Sequence, residues 1–250
     1  MKIAILQFAP KWLDLQSNLE HLKALSNQLE IDTDLLLLPE MFNVGYVLDT
    51  SQLNYQWQAI TILTLQELAA TFNICIGGSI PMFRQGKWYN TFIFVDNTGL
   101  SFHYDKIHLF SLAGEERHYT HGSVTRYFNF KGYNILPLVC YDLRFPYLSF
   151  TDNIPDIIIY SANWPVSRIH HWKSLLTARA IENLCYVIGI NRVGTDNNGF
   201  EYPGNSCMIN YNGNMLIKLD NQTQVSTFTI DKTQMQPTRQ HYGFINDRRF

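Results

Sequence analysis

Four side chains spaced along the sequence are of types that together do nucleophilic chemistry: Glu40, Lys106, Glu115 and Cys140. Cys140 ends the apolar run at 133–139 and is followed at once by Tyr141, Asp142, Leu143 and Arg144. A short continuous apolar run reads as a strand buried on both faces. The carboxyl ends of such strands are where α/β proteins gather reacting groups. The thiol is then either a nucleophile at a cleft or a small hydrophobe packed at a strand end. Glu40 leaves a second apolar run, 35–38, through Pro39 and ahead of Met41 and Phe42. Desolvation there would raise its carboxyl pKa and let it pass a proton both ways near neutral pH; a helix cap or salt bridge is the other reading. Lys106 lies in the aromatic and apolar stretch 103–110, where an ammonium must find a partner and a carboxylate pair would hold it charged. An exposed loop lysine is its alternative. Glu115 and Glu116 are adjacent acids that composition does not separate.

The elements that must carry these residues follow from periodicity. Strands are expected at 2–8, 35–38 and 74–79, with helices at 14–29, after a cap at Asp14, and at 55–71. A hairpin, 88–95 and 100–104, turns at Asp96-Asn97-Thr98-Gly99. The second half repeats the rhythm: a strand at 133–139, a short helix at 143–150, a strand at 156–160, a helix at 167–184 and a strand at 186–193. A hairpin at 206–210 and 215–219 and a strand at 225–230 complete it. Two halves that each alternate β and α suggest two mixed β-sheets packed face to face with helices outside. With no linker or low-complexity segment dividing it, the chain reads as one domain over 1–250. The tail from about 233 to 250 is polar and basic without periodicity, which suits a segment that wraps a partner subunit or frays.

Composition narrows the classes. Of the 250 residues 46 % are hydrophobic, enough for a full core, and only 16 % are charged. So little charge suits a chain that hides surface in an oligomer. A net charge of −2 lacks the basic footprint of a nucleic-acid binder. Cys75, Cys140, Cys185 and Cys207 form no C-x-x-C pair and are expected to be reduced thiols in a cytoplasmic protein. No run approaches the ~18 apolar residues of a membrane span. Gly204-Asn205-Ser206-Cys207-Met208 lacks the closing glycine of a serine-hydrolase elbow. His118-Tyr119-Thr120-His121 lacks metal-ligand spacing, and Gly77-Gly78-Ser79 lacks the dinucleotide fingerprint.

Three motifs resemble the signatures of the nitrilase superfamily of carbon–nitrogen hydrolases. They are Pro39-Glu40-Met41-Phe42, Asp105-Lys106-Ile107-His108-Leu109-Phe110 and Cys140-Tyr141-Asp142-Leu143-Arg144-Phe145-Pro146, in the order Glu, Lys, Cys. The likeness runs along nearly the whole chain and includes Ser161-Ala162-Asn163-Trp164-Pro165, the stretch 178–183, and Gly204 with Ser206. The resemblance implies a four-layer αββα sandwich and a Glu40–Lys106–Cys140 triad. By its position relative to Gly122, Glu115 matches the family's fourth, positioning glutamate; Glu116 does not. The implied chemistry has Cys140 attack an amide carbonyl while Glu40 takes the thiol proton. Lys106 and the Tyr141 N–H hold the oxyanion, ammonia leaves, and water cleaves the thioester. No metal, nucleotide or organic cofactor is required.

Within the superfamily Met41-Phe42, the short loop Phe110-Ser111-Leu112-Ala113-Gly114-Glu115 and the stretches 161–165 and 178–183 are similar to the omega-amidase branch, which hydrolyses the terminal amide of 2-oxo dicarboxylic monoamides such as 2-oxoglutaramate and 2-oxosuccinamate. Such a substrate carries a carboxylate, which calls for a cation at the far end of the pocket. Arg168 or the His170-His171 pair is expected there, with Phe42, Tyr46 and Trp164 as walls. Arg144 reads as a clamp for its own loop ahead of a ligand. The expected partners are a small-molecule amide and a second copy of the chain, a homodimer, with neither nucleic acid nor membrane. A carbamoylase or nitrilase of the same superfamily is the alternative activity. A non-catalytic interaction protein on the same fold is disfavoured by the intact Glu40, Lys106 and Cys140.

Overall fold

The first strand shows how the layers arise. In β1 (Lys2–Gln7), Ile3 and Ile5 enter one apolar core while Ala4 and Leu6 enter another. This is the two-residue period of a pleated strand buried on both faces. A computed structural model describes residues 1–249. Next come α1 (Leu15–Ser26), whose N-terminus is capped by the Asp14 carboxylate accepting from the Ser17 N–H, β2 (Leu35–Leu37) and α2 (Trp57–Phe72). They are followed by β3 (Cys75–Arg84), β4 (Lys87–Asp96), β5 (Gly99–Asp105), β6 (Phe128–Phe130), β7 (Tyr133–Val139) and β8 (Ile157–Ala162). The rest is α3 (Ile169–Asn183), β9 (Tyr186–Asn191), β10 (Val193–Thr195), β11 (Glu201–Pro203), β12 (Cys207–Ile209), β13 (Met215–Lys218), β14 (Gln224–Thr229) and α4 (Gln236–Tyr242).

Two six-stranded mixed sheets result, ordered β14-β1-β2-β3-β4-β5 and β13-β12-β9-β8-β7-β6. Each has three parallel strands at its heart, β1-β2-β3 in one and β7-β8-β9 in the other. The sheets face each other across a core containing Ile5, Leu37, Phe92, Val139 and Ile159. Helices α1 and α2 cover the first sheet through Leu19, Leu22, Leu65 and Ala69 against Leu36 and Leu38. Helix α3 covers the second through Trp172, Leu176 and Ala180. The architecture is the αββα sandwich expected from the sequence. β14, from the far end of the chain, pairs antiparallel with β1 and so ties the two halves together.

Several local expectations are corrected. The short helix expected at 143–150 is two 3₁₀ turns, Cys140–Arg144 and Pro146–Leu148. Phe145, extended ahead of a proline, separates them. The strand expected at 186–193 stops at Asn191, and β10 and β11 form a separate two-stranded ribbon. β3 continues to Arg84 through Pro81. The tail neither lacks regular structure nor frays: it contains α4, and Arg239 donates to the carbonyl of Leu184 at 2.9 Å and to Asp156 at 3.2 Å. Arg248 donates to the Glu182 carbonyl and to Asn183. These partners belong to distant parts of the chain, which is why a local sequence period does not announce them.

The strand ends matter most. β2, β5, β7 and β8 lead directly into 38–40, Lys106, Cys140 and Asn163, and the Ser161 hydroxyl donates to the Leu38 carbonyl at 2.9 Å across the two sheets. Lys106 is also held from outside the sheet. The Gly122 N–H donates to the Lys106 carbonyl at 2.8 Å, and a Cβ at residue 122 would lie 2.1 Å from the backbone oxygen of Asp105. Only glycine admits so close an approach of two backbones. Gly122→Ala is therefore expected to lower the unfolding free energy by about 1–3 kcal/mol through enforced backbone displacement, read by urea denaturation. A change within about 0.5 kcal/mol, the range of ordinary surface substitutions, would show that the two segments are not locked together.

Candidate active site

Four polar side chains with no exposed surface meet behind the strand ends: Glu40, Asn90, Lys106 and Glu115. A buried ammonium is costly unless paired. Lys106 Nζ lies 2.9 Å from Glu40 Oε1, and 3.1 and 2.8 Å from the two oxygens of Glu115. Burial alone would push the Lys106 pKa down, but Glu115, then Glu40, outweigh it and the ammonium is held protonated far above its ordinary range. Glu115 Oε2 also accepts the Phe110 N–H at 2.6 Å, so the 3₁₀ turn Glu115–Arg117 is closed onto the segment after Lys106. Glu116 is exposed, with the Arg117 guanidinium 3.9 Å away. The structure separates the two acids as burial separates them: one inside, one out.

Cys140 sits at the exit of β7 with φ of +44°, a left-handed conformation rare for a residue with a side chain. This turns the chain sharply from the strand into the 3₁₀ turn, and leaves the thiol partly exposed while its neighbours Val139 and Leu143 are buried. Asp142 fixes the turn: its Oδ2 accepts the Val139 N–H at 3.0 Å and the Tyr104 hydroxyl at 2.9 Å, and its Oδ1 accepts the His108 N–H at 2.9 Å. Met41, just after Glu40, also has a positive φ of 48°. Asn163 connects thiol and acid. Its carbonyl faces Cys140 Sγ at 3.9 Å, and its backbone N–H donates to Glu40 Oε2 at 2.9 Å. Its side-chain Nδ2 donates to the Glu40 carbonyl at 2.9 Å. Burial, then the Glu40 carboxylate, push the Cys140 thiol well above the ordinary cysteine range, with Lys106 opposing them. The resting sulfur is a neutral thiol that needs a base.

Cys140 opens into a cavity of about 450 Å³, within the range of small-molecule sites. Tyr46, Tyr141, Trp164 and Arg168 line it as the sequence leads one to expect. Phe42 does not. It has no exposed surface and packs in the core between the first sheet and its helices, against Gly78. The left-handed turn at Met41 sends the chain back into that core, so Phe42 is structural. His170 does not line the cavity. His171 instead accepts a hydrogen bond from Arg144 at 3.2 Å through Nδ1.

Sequence reasoning undervalued Arg144 and did not single out Asn90 or Asn163 as site residues. Arg144 lines the cavity with its guanidinium 5.0 Å from the Trp164 ring and 5.9 Å from that of Tyr141. Arg168 lies 5.1 Å above the Phe110 ring. Among the described residues neither guanidinium pairs with a carboxylate. Asn90 interrupts the apolar strand β4, and Asn163 follows the apolar strand β8; a polar amide there is the signal that points to them. No cluster of three or more metal-ligating side chains occurs among the described residues. Among them, too, no helix is long and apolar enough to cross a membrane.

Comparison with known proteins gives the family. The family model described as carbon-nitrogen hydrolase matches residues 2–240. The omega-amidase YafV of Escherichia coli strain K12 is 41% identical over 223 residues, covering 88% of this chain and 85% of the relative. The 2-oxoglutaramate amidase of Bacillus subtilis strain 168 is 30% identical over 252 residues, covering 99% of this chain and 97% of the relative. Among solved structures, XC1258 of Xanthomonas campestris, a CN-hydrolase superfamily protein with an arsenic adduct in its active site, superposes with a TM-score of 0.95. It is 32% identical, and the match covers 100% of this chain and 97% of that one.

If Lys106 holds two buried carboxylates together, Lys106→Met should cost about 3–5 kcal/mol of stability, the penalty for leaving buried charge unpaired. Denaturant unfolding of the variant measures this. A stability equal to that of the parent would mean that the carboxylates do not depend on the ammonium.

Proposed function

We propose that this chain, which belongs to the carbon–nitrogen hydrolase family, hydrolyses the terminal amide of short 2-oxo dicarboxylic monoamides to ammonia and the acid through a thioester on Cys140. An amide-hydrolysing activity is what its relatives establish. The substrate class is our reading. One observation carries it: two guanidinium groups, Arg144 and Arg168, border the cavity that Cys140 opens into, and among the described residues neither forms an ion pair; the Asp196 carboxylate, which also lines the cavity, accepts instead from the Tyr202 hydroxyl and the Asn198 and Phe200 N–H groups. A small amide with a carboxylate at its other end supplies the missing charge, and arginine is suited to bind it in two-point fashion.

The residues divide the work as follows. Glu40 takes the proton from the neutral Cys140 thiol as sulfur attacks the amide carbon. The Glu40 Oε2 edge, which meets the backbone N–H of Asn163, is joined through that residue to the sulfur. The carbonyl oxygen becomes an oxyanion held by the Lys106 ammonium and the Tyr141 N–H. Tyr141 is suited to this because it stands in the first turn of the 3₁₀ segment Cys140–Arg144, where backbone N–H groups have no acceptor within the helix. The proton on Glu40 passes to the departing nitrogen, which leaves as ammonia. Water then enters, Glu40 takes its proton, and hydroxide attacks the thioester carbon. The C–S bond breaks, sulfur regains a proton from Glu40, and the acid is released. Glu115 keeps Lys106 aimed by accepting two of its hydrogen bonds. Tyr46 and Trp164 wall the substrate.

Cys140→Ala should abolish ammonia release from 2-oxoglutaramate while leaving the circular dichroism spectrum unchanged. Arg144→Gln and Arg168→Gln should each raise KM for 2-oxoglutaramate about tenfold or more, the loss of one charged hydrogen bond, with little change for a neutral amide such as butyramide. Turnover of a carbamoyl amino acid or a nitrile, with none of 2-oxoglutaramate or 2-oxosuccinamate, would overturn the substrate assignment.

A further inference from the structure

We infer that Asn90 is a positioning residue of this site, its amide spacing Glu40 and Glu115 about Lys106 and keeping Glu40 in the ionised, proton-accepting state. The inference rests on the reading of Glu40 as the base for Cys140. Asn90 lies on β4 with no exposed surface. Its Nδ2 donates one hydrogen to Glu40 Oε1 at 2.8 Å and the other to Glu115 Oε1 at 3.1 Å. Its backbone carbonyl accepts the Lys106 N–H at 2.9 Å. One residue thus touches all three charged members of the cluster.

The orientation of the amide tells what it is for. Asn90 Oδ1 is buried and has no hydrogen-bond partner, an arrangement that costs free energy. Turning the group over would set that oxygen against two carboxylate oxygens, so the amide is held by what it gives to the acids. Lys106 supplies one positive charge to two carboxylates, and two acids so close resist ionising together. Asn90 is the uncharged second donor between them. Hydrogen bonds donated to a carboxylate favour its ionised form, so withdrawal of the amide should make Glu40 harder to keep ionised. The other groups that face Glu40 are the Cys140 thiol and the phenols of Tyr46 and Tyr119, all of them held neutral first by burial. Tyr119 already donates its hydroxyl to the Val47 carbonyl at 2.7 Å, and the Cys140 thiol is directed to the Asn163 carbonyl at 3.9 Å.

The test compares Asn90→Leu, similar in size but without a donor, with the parent enzyme. Two profiles are read against pH: kcat/KM for amide hydrolysis, and the rate of Cys140 alkylation by iodoacetamide, which needs no assumption about the substrate. At pH 7 kcat should fall about tenfold and KM should change less than about threefold. The acid limb of both profiles should move up by about one pH unit, the size expected for one lost charged hydrogen bond. Asn90→Ser, which retains one donor, should show a smaller displacement in the same direction and serves if the leucine variant does not fold. Glu40→Gln should remove the limb of alkylation at and below neutrality, leaving only the rise at high pH where the raised Cys140 thiol itself ionises. If it does so while the Asn90 variants leave the limb unmoved, or lose activity equally at every pH, the role of Asn90 is overturned and that of Glu40 stands. A limb at the parent's position in Glu40→Gln refutes Glu40 as the base, and the inference about Asn90 with it.

Discussion

The site depends on one buried ammonium shared by two carboxylates. Lys106, Glu40 and Glu115 have no exposed surface, and each alone would be too costly to bury in charged form. Together they are tolerated because every charged atom has a partner between 2.6 and 3.3 Å. Burial, then the Glu40 carboxylate, hold the proton on the nearby thiol, and in the proposed mechanism the same carboxylate is the base that removes it during attack. Low-dielectric surroundings strengthen both effects.

The sandwich exists, in functional terms, to bring four strand ends to one place. Parallel strands from both sheets deliver Glu40, Cys140 and Asn163, while β5, antiparallel to β4, delivers Lys106. Left-handed backbone at Met41 and Cys140 then turns the chain abruptly at two of those ends. Such strain persists only where the surroundings over-determine it. At Cys140 the Asp142 carboxylate supplies that determination, bonding the backbone on both sides of the sheet interface, and at Met41 the Ser79 hydroxyl accepts the backbone N–H at 3.0 Å. The cavity beyond opens toward solvent, with Leu112 and Phe200 among its exposed lining residues.

The regular framework was legible because apolar periodicity reports burial. The strands at the heart of both sheets and helices α1, α2 and α3 are visible as runs and spacings. Elements held by distant partners were not: β6, β10 and β11 are three residues each, and α4 is a polar helix anchored through Arg239. The charged members of the site were legible from the placement of unusual residue types beside apolar runs, and the resemblance to a family ordered them. Phe42 was misread because its position next to Glu40 in sequence says nothing of the turn at Met41 that takes it into the core. Arg144 was undervalued because a sequence cannot show that a guanidinium lacks an acidic partner. Asn90 escaped for a related reason, since one amide in a strand gains meaning only when two acids from elsewhere converge on it.

The central claim is that the sulfur of Cys140 carries the acyl group during turnover. Acid quenching of the enzyme during steady-state hydrolysis of 2-oxoglutaramate, followed by peptide mass spectrometry, tests this directly. The account predicts an adduct with the mass of the 2-oxoglutaryl group on the peptide containing Cys140, and none on those containing Cys75, Cys185 or Cys207. Turnover with the adduct on another cysteine, or with none at Cys140 even in a variant whose deacylation is slowed, would contradict it.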